Sequence, residues 1–390
     1  MSEWQKNKLG NTGNVITGKT PSKDNPKDWG NEVLFITPSD YKNYRKKAYS
    51  SIRMLSRVGI ERQKNRLLPP SSVLVTCIGS DMGKSVVNSS PCITNQQINA
   101  IIPDLSVVNA DYLYYLTIDL YDIFRRKGGD GTAVPILNKS DFEKIDILLP
   151  RIPEQKAIAD VLSSLDNKID LLHRQNKTLE SIAESLFRQW FIEEAQDEWA
   201  DGTIADLIEF NPHRKLSKGA IAPYLEMASL NNSTFNPDDW YDRAFSSGTK
   251  FINRDTLLAR ITPCLENGKT AYVTFLDKNQ VGWGSTEYIV MRPKGELHPF
   301  FAYALARNTD FRAYAEGCLA GSSGRQRVEI QHLENYVIKI PSPDIVSEFN
   351  SLAGSITAKL HSNFLQLRTL EKLRDTLLPK LMSGEVRVDA

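Results

Sequence analysis

Shifting the sequence by 191 positions lays Asp141–Phe191 on His332–Met382 without a gap. Leu149-Pro150 then falls on Ile340-Pro341, and Thr178-Leu179-Glu180 on Thr369-Leu370-Glu371. A gapless internal repeat of this length means two half-molecules in tandem, each a segment of its own followed by a copy of the repeated segment. A chain of 390 residues has room for two domains of ordinary size with connectors.

The repeated segments carry a heptad pattern. Each opens on a proline pair, Pro150 and Pro153 in the first copy and Pro341 and Pro343 in the second, which suits the start of a helix. Glu154 and Asp344 follow, favourable at a positive helix N-terminus. The first copy then reads Ile158, Leu162, Leu165, Ile169, Leu172, Asn176, Leu179, Ala183, Leu186, Trp190 at alternating spacings of four and three. The second reads Phe349, Ala353, Ile356, Leu360, Asn363, Leu367, Leu370, Arg374, Leu377, Leu381, and Pro379 is expected to kink or end it. A seam sustained this long predicts coiled-coil helices of about 50 Å each. The single seam asparagines do not coincide in the repeat: Asn176 maps to Leu367 and Asn363 to Leu172. In a parallel pair each would face leucine. In an antiparallel pair Asn176 faces Asn363, Leu172 faces Leu367, Leu179 faces Leu360, Ile169 faces Leu370 and Trp190 faces Phe349, with Leu165 opposite Arg374 the one poor match. A polar core position fixes register, so the pattern predicts an antiparallel pair within one chain.

The segments between the helices resemble each other more weakly. Both begin Glu-Trp (Glu3-Trp4, Glu198-Trp199). Both hold an apolar strand before a Gly-Lys turn: Val73–Ile78 before Gly83-Lys84, and Thr256–Ile261 before Gly268-Lys269. Aromatic helices are expected near Tyr112–Phe124 and Phe300–Tyr314. Gly-rich loops follow, Gly128-Gly129-Asp130-Gly131-Thr132 and Gly317 through Gly321-Ser322-Ser323-Gly324, the latter leading through Arg325-Gln326-Arg327 to a strand at Tyr336–Ile340. The expected class is mixed α/β: two globular α/β domains at 1–148 and 198–340, and two long helices at 149–197 and 341–390 forming an antiparallel intramolecular coiled coil with a pseudo-twofold internal repeat.

Several chemistries find no support in the sequence. Gly83-Lys84-Ser85 and Gly268-Lys269-Thr270 resemble the end of a phosphate-binding loop, but Ile78 and Pro263 stand where the backbone must curl as glycine. Asn211-Pro212-His213 lacks the second proline and aromatic of an adenine methyltransferase motif and reads as a turn. Cys77, Cys92, Cys264 and Cys318 form no CxxC pair, and the five histidines show no metal-ligand spacing. No apolar run reaches the ~18 residues of a membrane span, and Met1–Lys6 lacks a signal peptide's apolar core. These features point to a reducing cytoplasm.

Charge is the strongest chemical signal. The net charge is +1, yet residues 1–150 hold 20 Lys and Arg against 15 Asp and Glu. Between Tyr41 and Arg66 lie Lys42, Arg45, Lys46, Lys47, Arg53, Arg57, Arg62, Lys64 and Arg66 against the single acid Glu61, with Tyr41, Tyr44 and Tyr49 interleaved. Lys84 adds a cation on its turn. Such a segment suits DNA phosphates, which give affinity without sequence information, and its Arg and Tyr can reach base edges. A solvated basic face or a protein-binding rim is the competing reading. The second globule offers a sparser set, Arg243, Lys250, Arg254, Arg260, Lys269, Arg325 and Arg327.

The layout resembles the specificity subunit of type I restriction-modification systems. The resemblance covers essentially the whole chain. It rests on Leu149-Pro150-Arg151-Ile152-Pro153-Glu154-Gln155, on Ile340-Pro341-Ser342-Pro343, and on the ending Leu377-Leu378-Pro379-Lys380-Leu381-Met382-Ser383-Gly384. Gly18-Lys19-Thr20-Pro21 and the Gly83-Lys84 turn are similar to the family's first recognition domain, whereas Asn211–Lys215 departs from it. The resemblance implies a non-catalytic reader of double-stranded DNA, each globule a target recognition domain for half of a split, asymmetric site. The helices would set the spacing of the half-sites, roughly 10–15 base pairs, and dock two methyltransferase subunits, with motor-nuclease subunits joining for restriction. S-adenosylmethionine, ATP and Mg2+ would belong to those partners and no cofactor to this chain, whose exposed helix faces would favour self-association when it is alone. A coiled-coil scaffold whose globules bind proteins is the alternative.

Overall fold

A computed structural model describes residues 4–129, 134–196, 198–322 and 324–388. Glu3, Asp130-Gly131-Thr132 and Ser323, singled out above, lie outside the described residues. The chain divides into two compact units, residues 1–170 with 369–390, and residues 171–368. Each unit combines one globule with part of both long helices, which run Ile152–Arg188 and Pro343–Ser383.

In the first unit, Gln5–Lys8 pairs antiparallel with Asp146–Leu149, closing the globule just before the first long helix. A five-stranded sheet runs Gly13–Thr17, Ile98–Pro103, Val73–Thr76, Ser85–Asn88, Lys47–Ala48. A four-stranded sheet runs Trp29–Gly30, Arg53–Leu55, Val33–Ile36, Cys92–Thr94. Val73–Thr76 is buried on both faces, as its β-branched run anticipates. The expected aromatic helix is two short ones, Ala110–Asp119 and Tyr121–Lys127, broken at Leu120. Tyr112, Leu113, Tyr115 and Phe124 share a core with Ile158, Ala159 and Leu162 of the first long helix and with Leu381 and Met382 of the second.

The second unit repeats this plan. Asp201–Thr203 pairs with Val337–Lys339, residues that the 191-position shift maps to the closing strand of the first. Its sheets run Ile208–Phe210, Tyr288–Pro293, Thr256–Ala259, Thr270–Tyr272 and Tyr241–Ala244, Ile221–Leu225, Gly282–Gly284, Thr249–Phe251. Again two helices, Phe300–Arg307 and Thr309–Gly317, stand where one was expected, because Asn308 caps the second by accepting from Asp310 N and Phe311 N. Their aromatic faces pack with Ala183, Phe187, Phe349, Ala353, Ile356 and Leu360 of the long helices.

The helix pairing follows the asparagine register. In the second unit Asn363 Nδ2 donates to Asn176 Oδ1 at 2.7 Å, and the rings of Trp190 and Phe349 lie 6.5 Å apart. In the first unit Arg387, just past the second helix, donates to Glu154 at 2.9 Å, and Arg374 to Asp166 at 3.3 Å. In both, numbers rise along one helix as they fall along the other, so the pair is antiparallel. The poor match of Leu165 with Arg374 resolves because the guanidinium turns to Asp166 on the flank of the seam. Pro379 neither ends nor splits the second helix, contrary to expectation. An interior proline costs ~3 kcal/mol, and burying Leu381 and Met382 beyond it, at ~1.5–3 kcal/mol each, offsets that. The first helix instead ends early, passing at Gln189–Glu193 into a π-helical turn.

Candidate nucleic-acid interface

The structure sorts the basic residues of the first domain into two groups. Lys42 lies in the 3-10 helix Pro38–Asn43 and Lys47 in the strand Lys47–Ala48, both exposed. Arg53 lies on its strand with its guanidinium 3.3 Å from the centre of the Trp29 ring, a cation–π contact that holds it flat. Arg57 is exposed on the helix Arg57–Arg62, which starts at Ser56, whose hydroxyl accepts from Gly59 N at 3.2 Å. Among the described residues no carboxylate pairs with Lys42, Lys47, Arg53 or Arg57. Lys84 is exposed beside Asp81 at 2.6 Å, and Arg62 binds the buried Asp28 at 2.9 Å.

Lys46 belongs to the other group. It is only 8% exposed, and its ammonium meets Asp111 at 2.7 Å, Ser163 of the first long helix at 2.9 Å and the ring of Tyr115 at 4.6 Å. Lys46 stands just before the strand and is buried, whereas Lys47, its first residue, faces out. Lys46 braces the domain against the helix and is not placed to meet a phosphate. Arg45, by contrast, is exposed. Desolvation lowers its pKa, and the nearby Glu371 and Asp170 partly oppose that. Arg45 and Lys84 line one open cleft of about 340 Å³ with Tyr44, Tyr114 and Tyr121. The Gly83-Lys84 turn is fixed there: Gly83 has φ +90°, and a Cβ on it would lie 2.7 Å from Tyr121.

In the second domain Arg243 and Lys250 share one sheet face. The Arg243 guanidinium lies 4.8 Å from the Tyr224 ring centre and the Lys250 ammonium 4.8 Å from that of Phe245. Tyr224 and Phe245 pack on Trp283 at 4.4 and 5.3 Å. The remaining candidates are mostly neutralised inside the domain. Arg260 pairs with Glu329 at 2.7 Å, and Arg327 binds both oxygens of Glu287, which raises its pKa. Lys269 donates to the Met227 carbonyl at 3.0 Å. Arg254 is exposed at φ +72°, and Arg325 is exposed on a turn, its N–H donating to Ser322 O at 3.0 Å. Asn211 is indeed a turn residue, at φ +47°, exchanging hydrogen bonds with Val290.

Sequence reasoning passed over the side chains that brace each domain on the helices. Gln155, 1% exposed, accepts from Asn109 N at 2.8 Å and donates to Val107 and Pro150 carbonyls. Glu154 holds Trp4 at 3.2 Å. In the second unit Glu180, 6% exposed, accepts from Phe235 N and Tyr303 Oη, both at 3.1 Å. Burial pushes its carboxyl up to about 7, against the lowering influence of Tyr303, Arg307 and Phe235 N. The one available signal was the repeated Thr-Leu-Glu, which pairs Glu180 with Glu371. Among the described residues no cluster of His, Cys, Asp and Glu could hold a metal ion, and no helix is long and apolar enough to cross a membrane.

The order of globule, long helix, globule, long helix, with exposed cations on each globule, defines a two-domain α/β reader mounted on a coiled coil. The chain belongs to the family described as type I restriction modification DNA specificity domain, whose sequence model matches residues 1–181 and again 196–362. It is 27% identical to the type I restriction enzyme MjaIX specificity subunit of Methanocaldococcus jannaschii, over 99% of this chain and 94% of that one. It is 34% identical to the HindI specificity subunit of Haemophilus influenzae, over 47% of this chain and 40% of that one. The crystal structure of a type I restriction-modification S subunit from M. genitalium has the same fold, with TM-score 0.59 at 15% identity, over 99% of this chain and 96% of that one. The chain is therefore a DNA-recognition protein of type I restriction-modification.

Proposed function

We propose that each domain reads one half of a split, asymmetric target in double-stranded DNA, and that the helix pair sets the gap between the halves. The carrying observation is the double match: two specificity domains in one chain, each continuing into a long helix. Exposed Lys42, Lys47, Arg53, Arg57 and Lys84 supply phosphate and base contacts in the first domain, and exposed Arg243 and Arg325 with half-buried Lys250 in the second. The chain is non-catalytic and works in the cytoplasm. Its helices dock two methyltransferase subunits, and motor-nuclease subunits complete a restriction complex. S-adenosylmethionine, ATP and Mg2+ act on those partners.

Binding to duplex DNA across a salt series tests the reading. A reader that neutralises several phosphates gives log affinity falling linearly with log salt, at about −0.9 per phosphate contact. A slope near zero would instead favour a scaffold whose globules bind proteins.

A further inference from the structure

The basic segment of the first domain has an apolar tip. Tyr49 and Ile52 are 66% and 67% exposed, in the loop between the strands Lys47–Ala48 and Arg53–Leu55. A lone exposed hydrophobe needs no explanation, but this loop is braced. Ile52 N donates at 2.8 Å to Asp40, a carboxylate 1% exposed that also closes a capping box with Thr37. Tyr49 Oη donates to the Asn43 carbonyl at 3.2 Å, and its ring stands edge-on to Tyr44 at 6.0 Å. Tyr44 Oη donates to the Ser50 carbonyl, and Ser51 Oγ to the Arg53 carbonyl at 2.6 Å. The two side chains are held out in water by a network that ties down the backbone beneath them.

Their surroundings select the partner. No Asp or Glu occurs from Tyr41 to Ile60, and Lys47 and Arg53 flank the loop without a carboxylate partner among the described residues. An apolar protein patch would leave those cations uncompensated. Duplex DNA offers phosphates around apolar base surfaces. We propose that Tyr49 and Ile52 contact the apolar surface of bases, either a base face opened by local unstacking or a thymine methyl group. This deepens the DNA-reading proposal and rests on it. The proposal concerns the first domain. In the second, the aromatic-Ser-Ser turn Phe245–Gly248 lays Phe245 on Trp283, and a Cβ at Gly248 would lie 2.0 Å from the Gly284 carbonyl oxygen.

The test uses the full chain with its partner subunits and duplexes carrying the motif found by methylation mapping. One series places 2-aminopurine at successive steps of each half-site, and a second replaces each thymidine by deoxyuridine. Native protein should raise 2-aminopurine fluorescence at a step of one half-site, or lose affinity when a particular thymine methyl is removed. Ile52→Ala and Tyr49→Ala should lower affinity about tenfold, abolish that signal and keep the native salt slope. Lys47→Ala should keep the signal and lower the slope by about one. Native binding with an ordinary slope but neither signal, or native affinity in Ile52→Ala, would overturn the base contact alone. Native protein without salt-dependent binding would contradict the DNA-reading proposal itself.

Discussion

At the residue scale, position in the sequence says little about what a cation does. Lys46 and Lys47 are neighbours in one basic run, yet one is sealed between Asp111 and the first long helix and the other faces solvent. Lys46→Met should destabilise the protein by ~1–3 kcal/mol in urea unfolding and leave the DNA salt slope unchanged. Lys47→Ala should do the reverse, lowering the slope by about one with stability within ~0.5 kcal/mol of native. Equal effects from the two would refute the division. Asn176 and Asn363 are coupled in the same sense. Asn176→Leu leaves Asn363 Nδ2 buried without its acceptor, a loss of ~1–3 kcal/mol. Leu at both positions should recover that stability while relaxing register, seen as a changed oligomeric state by light scattering. Additive single and double effects would contradict the pairing.

At the element scale, what was legible was what repeats. The heptad seam, the proline starts and the displaced asparagines made the antiparallel helices readable, because each reports on a periodic, local geometry. The exceptions have local causes that periodicity does not contain: a cap at Asn308 that splits an aromatic helix, and buried Leu381 and Met382 that hold a helix through Pro379. The candidate interface was less legible, since burial of Lys46 and pairing of Arg260, Lys269 and Arg327 depend on tertiary neighbours. The braces were nearly invisible, yet Glu180 has a measurable signature. Its folded pKa, about 7, lies above the ~4.3 of an unfolded glutamate. The folded state therefore holds the extra proton, so this contribution to stability is full below about pH 4.3 and is lost as pH rises through 7. Glu180→Gln should flatten stability between pH 5 and pH 8, measured by urea unfolding. A variant with the native pH dependence would exclude Glu180 as its source.

At the scale of the whole molecule, the 191-position repeat gives one chain two similar mounts for two different readers. Their surfaces diverge where the mounts do not: an apolar-tipped basic loop in the first domain, an aromatic sheet face with Arg243 and Lys250 in the second. The readers thus differ while the helices stay alike, which is the division of labour a split, asymmetric target requires. The most direct measurement is single-molecule mapping of methylated bases in cells making this chain with the methyltransferase subunits proposed as its partners, beside cells whose chain carries one extra heptad in both long helices. The native chain should yield a motif in two parts with a constant gap, and the lengthened chain the same two parts with a changed gap. A contiguous motif, or a lengthened chain that alters the half-sites and keeps the gap, would contradict the account.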